Sequence, residues 1–113
     1  PFVFDAQDDY PDFVQSVAEA VSKDPMSRGV VLGGSGQGEM ICANRYKGVR
    51  GALWYGGSLD LIKLSRDHND SNILSLGARF VSENEAREAI KLWLETPFLN
   101  DERHIRRLKK IDG

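Results

Sequence analysis

Three short apolar runs, "GVVLGG", "VRGALWY" and "NILSLGA", recur along this 113-residue chain, and each is followed by a segment with helical spacing. That alternation limits the fold more than any other feature. Strands separated by helices pair in parallel, and the helices then cover both faces of the sheet. The expected class is α/β: a Rossmann-like three-layer α/β/α arrangement with a mostly parallel sheet. The length suits one modest core, hence a single domain over residues 1–113.

The segment "DDYPDFVQSVAEAVSK" places Phe13, Val14, Val17, Ala18 and Val21 at helical spacing, with Pro11 suited to the first turn. "GVVLGG" is continuously apolar, the pattern of a strand buried on both faces. "EMICANRY" reads as a short helix, Val49–Tyr55 as a second strand, "SLDLIKLSRDH" as a helix and Asn72–Ala78 as a third strand. Ser82 and Glu85 make a capping box ahead of Ala86, Ala89, Ile90, Trp93 and Leu94, which share one helical face. After the break at "TPFLND", "ERHIRRLKKID" reads as a last, basic helix. The opening "FVF" reads as a strand already in progress, so an upstream βα unit is expected to be missing.

In parallel sheets ligands bind at the carboxyl ends of the strands. That rule gathers "GGSGQGE" (Gly33–Glu39), the region after Tyr55 and the loop after Ala78 on one rim. Four glycines in seven positions, between a strand and a helix, expose amide groups that bind anions. The two familiar nucleotide fingerprints fail. GxGxxG would need glycine at position 39 or 41, where the chain has Glu39 and Ile41, and the phosphate-loop Gly-Lys-Ser/Thr is absent. A carboxylate closing the loop would repel a nucleotide phosphate. The loop suits an oxyanion that forms during a reaction, with Glu39 as a base beside it. The plainer reading is that Glu39 is a first-turn helix glutamate, placed where the dipole favours negative charge.

Other candidates have similarly plain alternatives. His68 and Asn69 end a helix, where a histidine often serves the dipole. Arg103 and Arg107 are four apart, so they share a face that is either a solvated basic surface or a clamp for a phosphate dianion. Tyr10 reads as a packing residue at a helix start. Cys42 reads as a small packing residue, Asn44 as a structural neighbour of the glycine loop, and Trp54 and Trp93 as core or interface.

Composition excludes several classes. Fifteen Lys and Arg against seventeen Asp and Glu give a net charge of −2, so nothing points to nucleic acid. No apolar run reaches the roughly 18 residues of a membrane span. One cysteine excludes an internal disulfide and a cysteine-rich zinc site, and the expected location is the reducing cytoplasm.

Taken together, "DDYPDF", "GGSGQGEMICAN", "RDHNDSNILSLGARF" and "NDERHIRRLKKID" resemble the type B ribose-5-phosphate isomerase family, related to the galactose-6-phosphate isomerase subunits. One branch of that family carries a cysteine base at the position of Gly33 and an apolar residue at that of Glu39. The other uses a glutamate at the Glu39 position, and this sequence resembles the second. The resemblance implies an aldose–ketose isomerase acting on a phosphorylated sugar through an enediolate, with no cofactor and no metal. It assigns Glu39 as the base, His68 as the ring-opening proton donor, and Asn69 as a partner of sugar hydroxyls. Gly34, Ser35, Gly36, Gln37 and Gly38 supply the cradle. Arg103 and Arg107 hold the phosphate, Arg79 contacts it across a dimer, and Tyr10 lines the sugar pocket. A homodimer with shared sites is implied, with a tetramer as the larger form. The family begins with a strand, a loop carrying an Asp-His or Asp-Cys pair, and a helix, about 35–40 residues by the size of one βαβ repeat. Those are absent from this sequence, so poor activity is expected of this polypeptide alone. A hexose-phosphate isomerase and a catalytically silent sugar-phosphate-binding subunit are the alternatives.

Overall fold

A computed structural model describes residues 7–113 of the chain; the strand expected at "FVF" lies outside them. The order of elements is α1 (Tyr10–Lys23), β1 (Gly29–Gly33), α2 (Gln37–Ala43), β2 (Gly51–Trp54), α3 (Asp60–Asp67), β3 (Ile73–Gly77), α4 (Glu83–Glu95) and α5 (Glu102–Asp112). The strands form a parallel sheet in the order β1-β3-β2, with Val31 opposite Ser75 and Leu53 opposite Ser75 from the other side. This is the expected α/β class.

Side chains alternate across the strands, and each face collects its own core. On one face Ile73 meets Val14, Ala18 and Val21 of α1, Val31 of β1, and Met40 and Ala43 of α2. On the other, Leu74, Leu76 and Trp54 meet Ile62 of α3 and Ala89 and Trp93 of α4. The central strand β3 is buried along its whole length. Each of Ile73, Leu74 and Leu76 contributes about 1.5–3 kcal/mol by leaving water.

Strand β1 departs from the expectation of burial on both faces. α3 packs over β2 and α4 over β3, which leaves Leu32 62% exposed. A continuous apolar run shows that both faces of a strand tolerate burial, and the helix placement decides whether both receive it. Phe13 likewise falls off the buried stripe of α1 and is exposed, as Leu94 is on α4. The capping box forms as read: the Ser82 hydroxyl accepts from the Glu85 amide at 3.1 Å, and the Ser82 amide donates to the Glu85 carboxylate at 2.8 Å. Trp54 and Trp93 are core residues, and Cys42 packs beside the α1–α2 core.

Candidate active site

The glycine loop leaves the carboxyl end of β1 and turns into α2 through Gly36, whose φ of 78° lies in the left-handed region that favours glycine. Two bonds fix this turn from below. The Ser75 hydroxyl, fully buried in β3, donates to the Gly36 carbonyl at 2.7 Å, and the Met40 amide donates to the same oxygen at 3.1 Å. The loop is also tied to the end of β3: the Ala78 amide donates to Gly33 O at 2.7 Å, and that of Arg79 to Gly34 O at 3.0 Å. Ser35 caps the turn by accepting from the Gln37 amide at 3.2 Å. The amides of Gly38 and Glu39, in the first turn of α2, have no helical carbonyl behind them and are the donors such a turn offers to an anion.

Glu39 is 7% exposed. Its carboxyl group folds back over Gly33, where a Cβ would overlap the carboxyl carbon and both oxygens. A first-turn glutamate that served only the dipole would extend into water. Tyr10, at the start of α1, brings its hydroxyl against Gly38, so that a side chain there would collide with it. The Arg79 guanidinium lies along Gly34, with its Nε 3.1 Å from where a Cβ would stand. Among the described residues no carboxylate pairs with Arg79. The upper rim thus holds a carboxylate, a row of amides, a phenol and a guanidinium.

The remaining candidates stand at the other end of the sheet. His68 caps the C-terminus of α3 and Asn69 follows it, just before the amino end of β3. Strand β3 separates them from the rim by four residue rises, about 13 Å along the strand. Helix α5 joins this lower end. The Leu99 amide donates to Asp67 O at 3.2 Å, the His104 ring stacks on His68, and Asp112 pairs with Arg50 at 3.3 Å. Arg103 and Arg107 are exposed on α5, with Arg103 3.6 Å from Asp101. A cavity of about 590 Å³ opens here between the Asn44–Ala52 segment and α5; Asn69 lines it and Glu39 does not. One chain therefore does not bring His68, Asn69, Arg103 and Arg107 to the carboxylate. Arg79, implied to act across a dimer, lies on the glycine loop of its own chain.

Three structural groups escaped the sequence reading. Ser75 sits in an apolar strand pattern, where only a buried hydroxyl among aliphatic neighbours hints at a role. Arg66, buried in α3, donates to Thr96 O at 3.0 Å, Ser71 O at 2.6 Å and the Asp70 carboxylate at 2.8 Å, stitching α3 to the segment that leads into α5. His104, buried in the first turn of α5, follows no pattern that local sequence displays. Asn44 is structural, as expected, accepting from the Gly51 amide at 2.8 Å.

A family model described as Ribose/Galactose Isomerase matches residues 2–111. The chain belongs to the ribose/galactose isomerase family. Within this ribose/galactose isomerase family it is 40% identical over 107 residues to ribose-5-phosphate isomerase B of Mycolicibacterium paratuberculosis, covering 95% of this chain and 66% of the relative. The chain thus spans just under two thirds of the length of that relative. A crystal structure of ribose-5-phosphate isomerase B from Mycoplasma genitalium with bound ribulose-5-phosphate superposes with a TM-score of 0.91 at 39% identity, covering 99% of this chain and 72% of that one. The type B enzyme of Trypanosoma cruzi gives 0.91 at 43% identity, over 99% and 71%.

Proposed function

We propose that this chain is the catalytic part of an aldose–ketose isomerase that interconverts ribose 5-phosphate and ribulose 5-phosphate, active as a homodimer with sites built from both copies. The observation that carries the reading is the buried Glu39 carboxyl folded over Gly33 beside the amides of the α2 turn. The family membership and the ribulose-5-phosphate held by the Mycoplasma genitalium relative support the substrate class.

The proposed chemistry needs a proton moved between neighbouring carbons. Glu39 takes the proton from C2 of the open aldose, the C1 carbonyl oxygen gains the electron pair, and a cis-enediolate forms. The same carboxylic acid returns the proton to C1 while the hydroxyl proton of O2 passes to O1, so that the C2 oxygen becomes the ketone and the C1 oxygen a hydroxyl. Charge develops on oxygens lying against the cradle, where each well-placed amide donor is worth about 3–4 kcal/mol. Arg103 and Arg107 hold the phosphate, and that remote binding orients the reacting carbons. No step needs a metal or a cofactor.

The split between rim and lower end supports the shared site. His68, Asn69, Arg103 and Arg107 of one copy would face the Glu39 rim of the other, so that two complete sites arise from two half-sites. With its single cysteine free, the chain suits a reducing cytoplasm. The test offers the full-length protein ribose 5-phosphate, allose 6-phosphate and galactose 6-phosphate in deuterated water. Ketose formation with deuterium entering from solvent, fastest for the pentose, is the expected result. A silent sugar-phosphate-binding subunit would bind without exchange, and a hexose preference would move the assignment to the larger substrates.

A further inference from the structure

The chain has two histidines, and they stack on each other. Their ring centroids are 4.2 Å apart with 20° between the planes. His68 is the half-buried C-cap of α3, and His104 is 7% exposed in the first turn of α5. The groups facing His104 are His68 from α3, and Asp101, Arg103 and Arg107 on its own helix. Burial first, and then the neighbouring His68, hold the His104 imidazole below the ordinary histidine range. Near neutral pH it is therefore an uncharged flat ring, suited to lie against another.

A helix-cap histidine that served only the dipole would need no partner on a separate helix. Here the partner ring belongs to α5, with Arg103 beside it and Arg107 one turn on. The stack joins the His68 ring to the helix that carries the two arginines. We propose that His104 is the positioning residue for His68, setting the ring that opens the sugar at a fixed span from the groups that hold its phosphate. This rests on the isomerase reading above. His104 touches no reacting atom; it acts through His68. Misplacement of a catalytic group by about 1 Å costs about a hundred-fold in rate, which is the scale on which such a support matters.

The test uses the full chain, its two imidazoles labelled and assigned by single substitution. Without substrate, the carbon-bound ring protons of His68 are shifted upfield by the stacked ring. His104→Ala moves them to free-imidazole positions, whereas His104→Phe keeps them upfield. Toward ribose 5-phosphate, His104→Ala lowers kcat about ten- to a hundred-fold with KM within about two-fold, and His104→Phe recovers most of the loss. His68 signals indifferent to His104→Ala, a phenylalanine variant no better than the alanine one, or a loss confined to KM would overturn the proposal. An inert wild-type protein, assayed at full length with the upstream βα unit, would fail the isomerase reading, while the spectra, taken without sugar, still decide whether His104 sets the His68 ring.

Discussion

The carboxyl group of Glu39 occupies the space that any side chain at Gly33 would need. Gly33 has an ordinary backbone conformation, since it is absent from the positive-φ glycines, so alanine there meets no backbone penalty. The exclusion is between two side chains competing for one volume. It gives a physical reason for the two branches noted above, in which cysteine at the one position goes with an apolar residue at the other.

Gly33→Ala should therefore fold normally and lose about a hundred-fold or more in kcat, because the displaced carboxylate no longer points at the substrate carbon. Thermal denaturation should shift little. A variant that keeps wild-type turnover would show that the packed position of Glu39 is not the working one. The pair Gly33→Cys with Glu39→Ile should be more active than either single variant.

Glu39→Gln keeps the shape and removes the base. Solvent deuterium incorporation at the substrate should fall by about 10²–10⁴-fold, while calorimetric binding of a sugar phosphate stays close to wild type. Loss of binding without loss of exchange at saturation would contradict the role.

Arg107→Ala should raise KM and leave kcat near its original value. Mixing it with Glu39→Gln after dissociation and reassembly tests the shared site. In a random equimolar mixture half the dimers are hybrid, and each hybrid holds one intact site, so at substrate far below the raised KM, where Arg107→Ala alone is nearly silent, activity should return to about a quarter of wild type. Sites built within one copy would give no such recovery.

Ser75→Ala removes the hydroxyl that holds the Gly36 carbonyl from beneath. The carbonyl keeps its bond from the Met40 amide, so the cost should be about 1 kcal/mol, read as a lower urea midpoint. The loop amides should exchange faster with solvent.

Acid should loosen α5. His104 titrates below 6.5 when folded and near 6.5 when unfolded, so the unfolded form takes up its proton first. Its contribution is fully present above 6.5 and is lost as the pH falls from there toward the lower folded value. Amide exchange along α5 should quicken over that window, and His104→Phe should abolish the change.

Much of this architecture was legible because it depends on periodicity. The three strands and the helices after them follow from apolar spacing, and the capping box at Ser82 and Glu85 follows from side chains that bond locally. The grouping of the glycine loop with the end of β3 follows from strand direction. What was not legible depends on distance across the fold. Nothing near Leu32 in the chain says which helix will fail to cover it. Nothing near Ser75 announces a carbonyl from Gly36, and His104 is 36 positions from the ring it stacks on. Arg103 and Arg107 were readable as a pair on one face, but not their separation from Glu39 by the length of the sheet.

That separation reaches beyond geometry. A lone molecule carrying its acid at one pole and its imidazole at the other never confronts a sugar with both, so under the proposed reading turnover per chain would climb with concentration and fade on dilution. The cell's supply of the polypeptide would then act as a throttle, with no effector required.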